Sequence, residues 1–93
     1  ERLLRRVPDD VLVVMDEAYI EFASGPDHPD LLPELRAGRR NLLLLRTFAK
    51  VYGLAGLRLG YAYAHPEVAA YVERVRPAFN VNALAQAAGL AAL

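Results

Sequence analysis

The sequence predicts an α/β chain, and three observations carry that prediction. Two apolar runs of strand length, Val11 to Met15 and Asn41 to Leu45, are separated by a short helix-like stretch. A third run, Leu59 to Ala64, alternates residues in the period of a strand and leads into a helix opened by Pro66. Strands alternating with helices are the pattern of an α/β sheet.

Taken in order, Glu1 to Arg6 has helical composition and is ended by Pro8. Val11 to Met15 is continuous, apolar and Val-rich, which reads as a buried parallel strand. Leu31 to Ala37 reads as a short helix led in by Asp30 and stopped by Gly38, and Asn41 to Leu45 is the second strand. Thr47 to Gly60 is a loop punctuated by Gly53, Gly56 and Gly60, too irregular to be helical throughout. On the third strand Tyr61 and Tyr63 share one face and are expected to pack. The helix from Pro66 carries Val68, Ala69, Val72 and Val75 on one face and ends near Arg76 and Pro77, and Asn82 caps a last helix from Ala83 onward. Three strands make only part of a stable open sheet, and both ends of the chain have the look of cuts. The expectation is a fragment that does not fold alone.

Composition excludes several classes of function. There is no cysteine among the 93 residues, so no disulfide or thiolate-metal framework is available. Eleven basic and eleven acidic residues balance, so no global field draws the chain to nucleic acid or to an anionic membrane. The apolar runs fall far short of the roughly 20 residues of a membrane span. His28 and His65 stand far apart with no Glu or Cys at ligand spacing, which argues against a metal site. The spacing of Gly53, Gly56 and Gly60 is not a dinucleotide fingerprint, because it leads into a strand instead of opening a helix.

The residues with chemical potential cluster after the first two strands. Asp16 directly follows the first apolar run, at the sheet edge where α/β ligands bind; an Asx turn or helix cap is the plainer alternative. Lys50 is the only lysine among eleven cationic side chains, the rest being arginine. A lysine amine condenses with an aldehyde and a guanidinium does not, provided that burial or a neighbouring cation helps it lose its proton. Survival of one lysine by chance explains the count equally well, and a Lys50–Asp16 salt bridge is the simple structural alternative.

Three blocks, Asp16-Glu17-Ala18-Tyr19, Thr47-Phe48-Ala49-Lys50 and Gly53-Leu54-Ala55-Gly56-Leu57-Arg58-Leu59-Gly60, resemble in order and spacing the cofactor segments of fold-type I pyridoxal-phosphate-dependent aminotransferases. Asp16 to Phe22 and Arg76 to Asn82 look most like the histidinol-phosphate aminotransferases. The resemblance implies a three-layer α/β/α large domain with a mostly parallel sheet, of which residues 1–93 form a central part. It implies pyridoxal 5'-phosphate as cofactor and Lys50 as the catalytic residue that joins it as a Schiff base and moves the substrate Cα proton. It implies that Asp16 pairs with the pyridine nitrogen, Tyr19 bonds the phenolic oxygen, Ala18 packs beneath the ring, and Thr47 and Arg58 hold the phosphate. Without that match, Thr47 is a strand-end cap and Arg58 a surface arginine. Ala49 stands where the family often has serine; the missing bond is worth at most about 1.5 to 3 kcal/mol.

The activity so implied is transamination of histidinol phosphate with 2-oxoglutarate in histidine biosynthesis, by a cytoplasmic homodimer that acts on small molecules without nucleic-acid or membrane partners. An aromatic amino-acid aminotransferase or a threonine-phosphate decarboxylase is a rival within the family. A noncatalytic scaffold is the alternative of another class.

Overall fold

Leucines at 42 and 44 fill the middle of the molecule because a strand sends alternate side chains to one face. The computed structural model describes residues 2–23, 25 and 28–93. Its sheet comprises β1 (Val13–Asp16), β2 (Leu42–Thr47) and β3 (Gly60–Ala64) in the order β1-β2-β3. β1 and β2 are parallel, with Val13 opposite Leu42 and Asp16 opposite Leu45. β3 returns antiparallel to β2, pairing Ala64 with Leu43 and Gly60 with Thr47. Strand direction leaves no mark on side-chain periodicity, so the sequence did not specify this reversal.

The helices start and stop where local chemistry directs. In α1 (Leu32–Arg36) the Leu32 N–H donates to Asp30 Oδ1 at 3.0 Å, and Gly38 takes φ +90° just beyond the helix. In α2 (Pro66–Val75) the Glu67 N–H donates to Nδ1 of His65, so a histidine that sequence reading left without a role caps the helix ahead of Pro66. In α3 (Ala83–Ala92) the Ala85 N–H donates to Asn82 Oδ1 at 2.9 Å, as expected of that asparagine. Short 3-10 turns at Ile20–Phe22 and Ala55–Leu57 add order within the connecting segments.

The core lies on one face of the sheet, where Leu4, Leu31, Leu42 and Leu44 are buried and Val13, Met15, Leu32 and Leu35 pack around them. Over the other face α2 stands across a cavity of about 740 Å³, lined in part by Leu43, Leu45, Ala62, Ala69 and Val72. Helices on both faces match the expected layering. Among the described residues no helix is long and apolar enough to cross a membrane.

Some expectations need correction. The first strand begins at Val13, because the Val11 N–H turns back to the Pro8 carbonyl and the Asn41 amide holds the carbonyls of Pro8 and Val11. That strand is half-buried instead of buried: Val14 is 50% exposed on the face away from the core. Arg2 to Arg6 forms turns, with the N–H groups of Arg6 and Val7 both donating to the Leu3 carbonyl, and Glu1 lies outside the described residues. So short a segment ahead of Pro8 cannot repay helix nucleation. The expected apolar face of α2 contains no buried residue, and Val75 is exposed.

Gly60 fits a close approach. A Cβ there would sit 2.9 Å from the Arg46 carbonyl oxygen, and a main-chain wall gives way less readily than a side chain. Gly60→Val is expected to destabilise the protein that carries this chain by about 1 to 3 kcal/mol. Urea denaturation checks this, and an unchanged midpoint would show that the β2–β3 pairing absorbs the branch.

Candidate active site

Because β1 and β2 run parallel, their carboxyl ends meet at one sheet edge, and because β3 runs the other way its amino end joins them. Asp16 ends β1, Thr47 ends β2, and Arg58 lies two residues ahead of Gly60. Topology thus gathers at one edge residues that the sequence separates by some forty positions.

Asp16 is exposed, and its Oδ1 accepts the Ala18 N–H at 3.0 Å. The Asx turn considered for it is therefore real, yet it occupies one oxygen of the carboxylate. Among the described residues neither Asp16 nor Lys50 enters a salt bridge. Lys50 Nζ stands instead 4.9 Å from the centroid of the Tyr19 ring, within cation–π range, which joins the loop after β2 to the loop after β1. Sequence reasoning asked for a buried amine; Lys50 is exposed, because no element of this chain covers the loop. Tyr19 is exposed as well, and Ala18 is half-buried between it and Glu17.

The loop that carries Lys50 is held by its own main chain. The Gly53 N–H closes onto the Lys50 carbonyl at 2.9 Å, with Gly53 at φ +69°, and the Leu54 N–H reaches the Phe48 carbonyl. Phe48 is buried beneath, against the rings of Tyr52 and Tyr61 with centroids 5.0 and 5.4 Å away. Thr47 Oγ1 accepts the Ala49 N–H at 2.9 Å and lies 3.5 Å from the Leu59 carbonyl. Arg58 adopts a left-handed backbone, φ +55°, which an arginine enters at a cost of roughly 1 to 2 kcal/mol. Its Nη1 bonds the Ala55 carbonyl at 3.2 Å, closing the 3-10 turn. Neither Thr47 nor Arg58 contacts Asp16 or Lys50 through a described hydrogen bond. The 740 Å³ cavity contains none of the six residues, whereas Asp16 and Tyr19 line a second cavity of about 240 Å³ together with Met15 and Ile20.

Sequence reading missed Glu17 and Arg46. Glu17 is 8% exposed, and its Oε2 accepts from Arg46 Nε at 2.9 Å. Arg46 also lies over the Tyr63 ring, 5.3 Å from its centroid. Burial works against the guanidinium charge, but its neighbours, the Glu17 carboxylate foremost, together raise the Arg46 pKa further. The signal was available: residues 13, 15 and 17 share one strand face, as do 42, 44 and 46, so the period that buries Leu44 carries both charges inward.

Comparison with known proteins places this geometry in context. The family model described as aminotransferase class I and II matches residues 1–93. A histidinol-phosphate aminotransferase of Anaeromyxobacter sp. is 59% identical over 97% of the chain and 24% of the relative. Histidinol-phosphate aminotransferase 2 of Pseudomonas aeruginosa is 58% identical over 100% of the chain and 25% of the relative. The crystal structure of histidinol-phosphate aminotransferase from Sinorhizobium meliloti, in complex with pyridoxal-5'-phosphate, superposes with a TM-score of 0.85 at 33% identity, covering 98% of this chain and 24% of that one. The chain therefore spans about a quarter of the length of the proteins it resembles.

Tyr61 makes the electrostatics behind this edge measurable. Burial pushes its phenol above the ordinary value of 10.0, and Arg46 opposes the shift only in part. A raised folded-state pKa favours the neutral phenol, so this stabilisation is complete below the unfolded value and disappears as pH rises through the folded one. Stability is expected to fall as pH rises above about 10, and to fall less in Tyr61→Phe. Urea midpoints across that range check it; identical alkaline slopes for the two proteins refute it.

Proposed function

Because the chain belongs to the class I and II aminotransferase family, we propose that it is the central part of the large domain of a longer pyridoxal-phosphate-dependent aminotransferase. We propose histidinol phosphate as the amino donor and 2-oxoglutarate as the acceptor, in a cytoplasmic homodimer. The observation that carries this reading is the placement of the sole lysine: Lys50 Nζ stands free of ion pairs among the described residues, 4.9 Å from the Tyr19 ring and at the same sheet edge as Asp16. A noncatalytic scaffold gives no reason to keep an amine unpaired there.

The donor set fits the cofactor. It comprises one amine, one carboxylate with an oxygen to spare, a phenol, and two phosphate donors of different shape. Pyridoxal phosphate, when bound, supplies an aldehyde carbon and an electron-accepting ring. Lys50 would hold the cofactor as an imine, with loss of water, and would afterwards move the proton at the substrate Cα. Asp16 would hold a proton on the pyridine nitrogen through a charge-assisted bond. Tyr19 would donate to the phenolic oxygen, and the single methyl of Ala18 would leave room beneath the ring. Arg58 offers the unbonded part of its fork and Thr47 its hydroxyl to the phosphate. Ala49 adds no side-chain donor, so main-chain N–H groups have more of the phosphate to hold.

Borohydride reduction of the full-length protein, followed by peptide mapping, is expected to find the phosphopyridoxyl group on Lys50. A label on any peptide without Lys50 overturns the assignment.

Asp16→Asn is expected to retain the cofactor while slowing Cα deprotonation by roughly a hundredfold or more, since the phosphate donors remain and the carboxylate charge is gone. Stopped-flow measurement of that step separates binding from chemistry. Near-normal turnover would leave Asp16 with its turn-forming role only.

A further inference from the structure

Leu42, Leu43, Leu44 and Leu45 are four identical side chains in a row. In an ordinary strand a one-residue slip is forbidden because it turns the apolar face to solvent. Here such a slip still presents leucine to both faces, so burial alone does not choose the alignment of β2 with β1. The interactions that do choose it are polar and sit at the two ends of the pair. At one end the buried Asn41 amide reaches the carbonyls of Pro8 and Val11, each at 3.1 Å. At the other, Glu17 meets Arg46 at 2.9 Å while the Glu17 N–H donates to the Leu45 carbonyl.

The second contact adjoins the candidate site on both strands. Glu17 follows Asp16 directly, and Arg46 directly precedes Thr47. The two charges lie on the core face, whereas Asp16 and Thr47 alternate to the other side. Resting on the cofactor site described above, we propose that the buried Glu17–Arg46 pair is a register clamp, two positioning residues that fix Asp16 relative to Thr47 and the Lys50 loop from behind the sheet. A one-residue slip in either direction turns Arg46 to the other face and leaves the Glu17 carboxylate buried without its partner, a state far costlier than misplaced leucine. Stability alone accounts poorly for the pair, because apolar residues of similar volume usually serve a buried site as well or better.

The test uses the full-length protein and its Glu17→Leu/Arg46→Leu double variant, which removes both charges together and so leaves neither one buried alone. The variant is expected to melt cooperatively within about 4 °C of the unmodified protein. Its dissociation constant for pyridoxal phosphate, read by visible absorbance on adding cofactor to the apoprotein, is expected to rise about tenfold or more, because the holding groups no longer converge. The pH midpoint of that absorbance is expected to move as well, which a purely structural pair would not cause. Unchanged affinity and an unchanged midpoint in a well-folded variant overturn the clamp. Loss of cooperative melting also overturns it, by assigning the pair to stability. If the unmodified protein itself shows no absorbance that depends on Lys50, the cofactor reading fails and the clamp fails with it, a result told apart by the unmodified protein alone.

Discussion

The arrangement rests on one contact, the ion pair between Glu17 and Arg46 behind the carboxyl edge of the sheet. Both side chains are largely removed from water, so each is tolerable only because the other is there. Deleting one half of such a pair typically costs about 3 to 5 kcal/mol, a large share of a domain's net stability. The surroundings are arranged accordingly: the Tyr63 ring lies under the guanidinium, Tyr63 packs edge to face on Tyr61, and Tyr61 in turn packs against Phe48 at the base of the Lys50 loop. A chain of contacts therefore runs from the buried charges to the loop that carries the amine.

A second constraint is topological. A parallel β1–β2 pair brings two carboxyl ends together, but it does not by itself bring in Arg58. The reversal of β3 does so, by setting Gly60 opposite Thr47. Gly60 then has to be a residue without Cβ, since the Arg46 carbonyl already occupies that space. Arg58, two residues earlier, takes a left-handed conformation that local preference resists, and the 3-10 turn at Ala55–Leu57 holds it there through main chain and side chain. The edge is thus strained and clamped while its donor groups stay accessible.

Much of this was legible in the residues. Asp30, Gly38, Pro66 and Asn82 punctuate helices where they were expected to, because capping depends on a few neighbouring atoms that the sequence states outright. Tyr61 and Tyr63 pack edge to face, centroids 5.5 Å apart, as their shared strand face requires. The strands were found but their bounds drifted: Asn41 diverts the chain around Val11, and a side-chain amide reaching thirty residues back is invisible to a local pattern. The exposure of Val14 and of Lys50 was not legible either, because burial depends on which elements lie overhead.

By itself the sequence placed the three strands, the helices that begin near Leu32, Pro66 and Ala83 and the capping roles of Asp30 and Asn82, and it nominated Asp16, Ala18, Tyr19, Thr47, Lys50 and Arg58, all through local chemistry or motif order. Only the tertiary structure decided that β3 runs antiparallel, that Lys50 meets the ring of Tyr19, and that Glu17 and Arg46 are an internal pair and not two surface charges. The physical reason is the run Leu42 to Leu45. Identical side chains carry no information about alignment, so the choice falls to polar contacts between residues nearly thirty positions apart, which exist only once the strands have met.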